Sequence, residues 1–206
     1  PNLAFDECYG IEGMRALDAT VDYIRTKYPE IFLIADAKRG DIGNTAKMYA
    51  KAFFEEMDFD AVTIAPYMGA DSVTPFLEYK DKWAIVLALT SNASAYQFQN
   101  AQKDGKPLYQ AVMEEMMEIS TPDNMMFVVG ATKADKLEEL RSFCPDNFFL
   151  VPGVGAQGGS AEEVIAHGAN DHGGLLINSS RGILFADSSE DFAYYAGKVA
   201  ARTANL

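Results

Sequence analysis

Ile31-Phe32-Leu33-Ile34-Ala35-Asp36-Ala37-Lys38-Arg39-Gly40-Asp41-Ile42-Gly43-Asn44-Thr45 passes from an apolar run, through a cluster of charges, into a helical pattern that reaches Met57. The run Ile31–Ala35 has the length and composition of a buried strand. The charges therefore fall at a strand-to-helix turn with the spacing D-x-K-x-x-D. Alternation along the last strand residues points Asp36 and Lys38 to one side. Charged residues after a strand also occur as solvated turns, and Asp41 before Ile42-Gly43 has the form of a helix N-cap, so the motif alone leaves both readings open.

Outward from this stretch the same unit recurs. Ahead of it, Asn2-Leu3-Ala4-Phe5 resembles the tail of a strand, and Ile11, Met14, Leu17, Val21 and Ile24 are spaced as a helix stopped near Pro29. After it, strands are expected at 60–65, 83–89, 125–129, 147–151 and 174–178. Helices are expected toward Tyr79, around 108–119, and over 133–143, 160–167 and 189–202. The Gln-rich segment up to Gly105 is expected as the longest loop. Continuous apolar strands alternating with helices imply a parallel sheet covered by helices. A strand stub and six full strands predict an α/β fold: a (β/α)8 TIM barrel lacking the first strand-helix unit and part of the second strand, with residues 1–206 as a single domain. An open doubly wound sheet is the alternative. In a barrel, residues after strands gather at one end, and Asp36/Lys38, Ser91/Asn92, 152–159 and Arg181 all follow strands.

The charge balance, 17 Lys and Arg against 30 Asp and Glu for a net charge of −13, argues against a nucleic-acid or anionic-membrane surface. A phosphate ligand must then be held locally. With only Cys8 and Cys144, two buried thiols in a reducing cytoplasm are expected rather than a disulfide framework. No run of 18 apolar residues occurs. His167 and His172 lack ligand-spaced partners, so no metal site is expected, and the methionines at 113, 116, 117, 125 and 126 read as core.

Gly153-Val154-Gly155-Ala156-Gln157-Gly158 matches G-x-G-x-x-G between a strand and a helix. A dinucleotide fingerprint needs a βαβ unit continuing into a larger half-sheet, and this match lies in the next-to-last unit. What it offers is a row of unobstructed backbone N–H groups beside a helix start, which suits a phosphate. Ser179-Ser180-Arg181-Gly182 adds a cation after the last strand, where barrels commonly hold a phosphate. Turn glycines and a surface arginine are the plainer reading.

With Asp36-x-Lys38-x-x-Asp41, Ser91-Asn92, Pro152–Gly159 and Ser180-Arg181-Gly182 in this order, the chain resembles the orotidine 5′-monophosphate decarboxylases, most closely the longer bacterial subgroup. The resemblance covers essentially the full length. It implies cofactor-independent decarboxylation of orotidine 5′-monophosphate to uridine 5′-monophosphate in pyrimidine biosynthesis, by a homodimer. Within the family's Lys-Asp-Lys-Asp array, Asp36, Lys38 and Asp41 match the last three members, with Asp41 reaching into the neighbouring subunit together with Ile42 and Thr45. Ser91, with Asn92 beside it, matches the contact to the pyrimidine, Pro152 lines the pocket, and Gln157 and Arg181 match the phosphate ligands. The first lysine would stand immediately before Pro1, so the chain from Pro1 alone is expected to be inactive. D-x-K-x-x-D also occurs in magnesium-dependent sugar-phosphate decarboxylases, which would use Asp36 and Asp41 as metal ligands. That reading and a non-catalytic phosphate-binding module remain as alternatives.

Overall fold

A computed structural model describes residues 10–130, 134–153 and 160–204. The strand tail expected at 2–5, Cys8 and Gln157 lie outside the described residues. The chain divides into two compact units, one within Leu3–Val86 and the other within Leu87–Leu206.

In the first unit, helix α1 (Gly10–Lys27) leads to strand β1 (Ile34–Arg39), α2 (Gly43–Lys51), β2 (Ala61–Ile64), a short α3 (Thr74–Leu77) and β3 (Trp83–Leu89), whose last three residues belong to the second unit. β1 pairs in parallel with β2, and β2 with β3 in the register Ala61↔Trp83 to Ile64↔Val86. All four residues of β2 are buried, as expected of a parallel strand covered on both faces. The stripe of α1 is buried at Val21 while Ile11 and Met14 stay exposed.

Three expectations need correction here. The strand expected at 31–35 starts at Ile34 and runs through the charges to Arg39. The helix expected to reach Met57 changes pitch at Ala52–Glu56, a π turn closed by Met57 N–H donating to Ala52 O at 3.0 Å. Widening the turn lets two consecutive residues face inward: Phe53 meets Phe59 edge-on at 6.1 Å, and Phe54 meets Phe76 at 6.1 Å. The helix expected toward Tyr79 is likewise split into two 3₁₀ turns and α3.

The second unit contains the hairpin β4 (Gln102–Lys103) and β5 (Lys106–Pro107), α4 (Leu108–Glu118), β6 (Met125–Val129), α5 (Ala134–Phe143), β7 (Phe149–Pro152), α6 (Ala161–Gly168), β8 (Leu175–Asn178), α7 (Arg181–Leu184) and α8 (Phe192–Ala204). β6, β7 and β8 are parallel neighbours in sequence order, with Phe127↔Phe149 and Phe149↔Leu175 in register. The segment expected as a long loop carries a 3₁₀ turn at Ala93–Gln97 and the β4–β5 hairpin. Met113, Met116, Met125 and Met126 are core residues, and Ser160 caps α6 by accepting Glu163 N–H.

In both units an arginine in the last turn of a helix gathers the carbonyls that precede the next strands. Arg25 donates to Asp58 O and Ile31 O, and meets the Asp60 carboxylate at 2.8 Å. Arg141 donates from Nε to Gly168 O (2.8 Å), from Nη1 to Cys144 O, Pro145 O and Asn147 O, and from Nη2 to Gly174 O (2.9 Å). Its guanidinium also lies 4.0 Å from the Phe149 ring centre. Gly174 backs this knot: it has φ +64°, and a Cβ there would lie 2.9 Å from Arg141 Nη2.

Arg141→Ala leaves several buried carbonyls without a donor, and the urea midpoint should fall by the equivalent of about 3 kcal/mol. Cys144, fully buried beside Met117 Sδ at 3.4 Å, has its thiol pushed by burial from 9.0 up to about 12. The folded state therefore keeps a proton that the unfolded chain releases. Stability contributed below pH 9.0 is lost as pH rises from 9.0 toward about 12, and this alkaline fall in the urea midpoint should be shallower in Cys144→Ala.

Candidate active site

Asp36 and Lys38 lie within β1, where its ladder is irregular. Ala35 pairs with Val62 and Arg39 with Ile64, so β1 spends four residue steps where β2 spends two. The surplus residues form a bulge, and Lys38 adopts φ +47°, a left-handed conformation that costs a residue with a side chain about 1–2 kcal/mol. Simple alternation predicts Asp36 and Lys38 on one side. They do meet, but across a bulge: Lys38 Nζ donates to Asp36 Oδ1 at 2.5 Å.

Thr63, at the centre of β2 and fully buried, stands behind the pair. Its hydroxyl donates to Asp36 Oδ1 at 3.0 Å and accepts Lys38 N–H at 2.9 Å. The Asp36 side chain is 19% exposed and that of Lys38 52% exposed, so a recessed carboxylate presents an accessible ammonium. Such a cation, fixed at its base, can stabilise an anion forming in front of it and donate a proton to it.

Asp41 Oδ1 accepts the neighbouring Ile42 N–H at 2.8 Å, a turn contact ahead of α2. Ile42 and Thr45 are exposed. Arg39, inside the motif but not among the expected site residues, lies against the rings of Tyr49 and Phe53 at 5.2 and 5.4 Å and donates to Ala37 O. It acts as a strut under the bulge.

In the second unit, Ser91 and Asn92 follow β3. Thr90 Oγ1 donates to Asn92 Oδ1 at 2.5 Å. The Gln99 side chain returns to Thr90 twice, accepting its N–H and donating to its Oγ1, both at 2.8 Å. Gly130 N–H donates to Leu89 O, and a Cβ on Gly130 would lie 2.8 Å from Ser91 N. Ser91 is thus seated on a backbone that tolerates no side chain. Pro152 ends β7 opposite Asn178 of β8, whose Oδ1 accepts from Ser180 Oγ at 3.3 Å; exposed Arg181 opens α7. Gly153 has φ +95°.

Thr63, Gln99 and Gly130 escaped the sequence reading. For Thr63 a signal existed: it is the one hydroxyl in the otherwise apolar strand Ala61-Val62-Thr63-Ile64. Gln99 and Gly130 give no local signal, because their partners lie on other segments.

The chain matches, over residues 7–193, the family model described as "Orotidine 5'-phosphate decarboxylase / HUMPS family". It is 55% identical over 197 residues to the orotidine 5′-phosphate decarboxylase of Christiangramia forsetii, covering 96% of this chain and 72% of that protein. Among solved structures it is similar to Leishmania donovani OMP decarboxylase, with TM-score 0.82, 35% identity, and coverage of 97% of this chain and 76% of that one. It also resembles Methanocaldococcus jannaschii orotidine 5′-monophosphate decarboxylase complexed with the inhibitor BMP. That match has TM-score 0.72 at 22% identity, covers 92% and 80%, and bears on fold alone. The fold class is accordingly α/β, of the (β/α)8 TIM-barrel type.

Gly130→Ala should displace Ser91 and lower stability by roughly 1–3 kcal/mol. Urea unfolding measures the loss, and the amide resonance of Ser91 should move while those of α1 do not.

Proposed function

The chain belongs to the orotidine 5′-phosphate decarboxylase / HUMPS family, and on that premise we propose that it converts orotidine 5′-monophosphate to uridine 5′-monophosphate and carbon dioxide in de novo pyrimidine biosynthesis, without a cofactor. The observation that carries this reading is the ion pair of Asp36 with Lys38 within a chain 55% identical to a protein named for that activity. In the proposed reaction the bond from C6 to the carboxylate breaks, carbon dioxide leaves, and the electron pair remains at C6. The ring delocalises that pair poorly, so the protein must supply the stabilisation. Lys38, anchored at Asp36, supplies a positive charge facing C6 and then transfers a proton from Nζ to carbon; solvent returns a proton to the amine.

The remaining roles belong to the same proposal. Ser91, Asn92 and Pro152 flank the pyrimidine, and Gln157 and Arg181 hold the phosphate, whose binding energy supports turnover at the distant ring. The protein acts as a homodimer in the cytoplasm, with Asp41, Ile42 and Thr45 completing the partner's site; the exposure of Ile42 and Thr45 supports this. Both compact units serve one catalytic domain.

The test follows the ultraviolet absorbance of orotidine monophosphate with the chain supplied with the upstream segment that ends in the family's first lysine, directly before Pro1. A steady decline that persists with a metal chelator is expected; no decline overturns the proposal, and chelator-sensitive turnover of a sugar phosphate instead would assign the magnesium-dependent reaction. Removing a preorganised donor of this kind commonly costs about 3 kcal/mol, so Lys38→Ala should lower kcat by roughly a hundredfold or more. Arg39→Ala, which removes a strut, should lower the melting temperature and leave kcat within about threefold.

A further inference from the structure

We infer that Thr63 is a positioning residue for the decarboxylation, acting through both members of the Asp36–Lys38 pair. The inference rests on the reaction proposed above. At the bulge, Asp36, Ala37 and Lys38 stand opposite a stretch of β2 that offers only Thr63 between its ladder partners Val62 and Ile64. The regular backbone ladder is broken there, and the Thr63 hydroxyl bridges the gap. A hydroxyl has one proton to give and lone pairs to receive. Here the proton goes to Asp36 Oδ1 and a lone pair receives Lys38 N–H, so one buried group fixes the carboxylate and, separately, the backbone that carries the ammonium. Thr63 Oγ1 also lies 3.5 Å from Ala35 O, a weaker alternative acceptor for the same proton.

Both constraints act on the same quantity, the placement of Lys38 Nζ. Asp36 Oδ1 accepts from Nζ and from Thr63 at once, which sets the direction from which Nζ is held. The φ of +47° at Lys38 is a conformation that a lysine leaves unless something restrains it, and its N–H bond to Thr63 is such a restraint. Thr63 is fully buried, and among the described residues it is linked to the reacting group through Asp36 and Lys38. Neither Asp36 nor Lys38 needs to change identity for the site to fail.

The experiment compares Thr63→Val, which keeps the shape and removes the hydroxyl, with Thr63→Ser, which keeps the hydroxyl, in the chain supplied with the same upstream segment as in the turnover test above. For orotidine monophosphate, Thr63→Val should lose about tenfold or more in kcat with KM within about threefold, and Thr63→Ser should stay within about threefold of the parent in both. A second readout needs no turnover: reductive methylation of lysines, mapped by mass spectrometry, with Lys80 (side chain 92% exposed) as internal standard. Lys38 should be methylated about threefold or more faster relative to Lys80 in Thr63→Val, and at the parental rate in Thr63→Ser. If the parent protein turns over no orotidine monophosphate, the decarboxylase reading fails, and the methylation ratio still decides whether Thr63 holds the pair. Parental kcat together with a parental methylation ratio in Thr63→Val overturns the inference, as does an equal loss in Thr63→Ser. If Thr63→Val does not fold, Thr63→Cys, whose thiol fills similar space and donates weakly, carries the same comparison.

Discussion

Parallel strands cannot be joined by a tight turn, and this constraint governs the chain. Each strand must be returned by a crossover, here helical, and each strand buried on both faces must find its hydrogen bonds in its neighbours. In the first unit this aligns β1, β2 and β3, and in the second β6, β7 and β8, so that within each unit the strand ends share an edge. Chemistry can then be placed at that edge without disturbing the buried ladder. Asp36 and Lys38 use the edge of the first unit; Pro152, Asn178 and Arg181 lie along that of the second.

The two ends of the first unit's strands are secured by different means. At the start, Arg25 and Lys82 gather the carboxylates of Asp58 and Asp60, Arg25 also takes the Asp58 carbonyl, and Leu33 N–H donates to Asp60 Oδ2. At the finish, backbone regularity is given up: β1 bulges, Lys38 enters left-handed space, and a side-chain hydroxyl takes over from the ladder. A regular strand would place its side chains at fixed intervals set by the pleat. The bulge frees Asp36 and Lys38 from that spacing, so carboxylate and ammonium can touch.

The α/β class was legible because strand β6, Met125–Val129, and strand β3, Trp83–Leu89, announce themselves as continuous apolar runs between turn signals. β1 was legible in place but not in extent. Its own hydrophobicity stops at Ala35, and its continuation through charged residues is imposed by β2, a partner that the local sequence does not show. The π turn is set by what Phe53 and Phe54 meet across the unit, namely Phe59 and Phe76, again a tertiary cause. The β4–β5 hairpin had a local signal in Asp104-Gly105, both with positive φ, which the Gln-rich composition around it obscured. α7 is too short to have a period. At the site, the shared side of Asp36 and Lys38 was legible from spacing, whereas the bulge that lets them touch and the Thr63 hydroxyl behind them required knowing which strand lies alongside.

The two arginine clips carry a consequence for how the polypeptide is made. Among the described residues the farthest acceptor of Arg25 is Asp60, 35 residues on, and that of Arg141 is Gly174, 33 residues on. At a ribosomal pace of about 5–20 residues per second, such a span is synthesised in roughly 2–7 s. Each clip can therefore close soon after its last acceptor emerges from the exit tunnel, without waiting for distant segments. Each segment that a clip spans is thus secured early, which shortens the time its apolar strands stand bare before neighbouring polypeptides and chaperones.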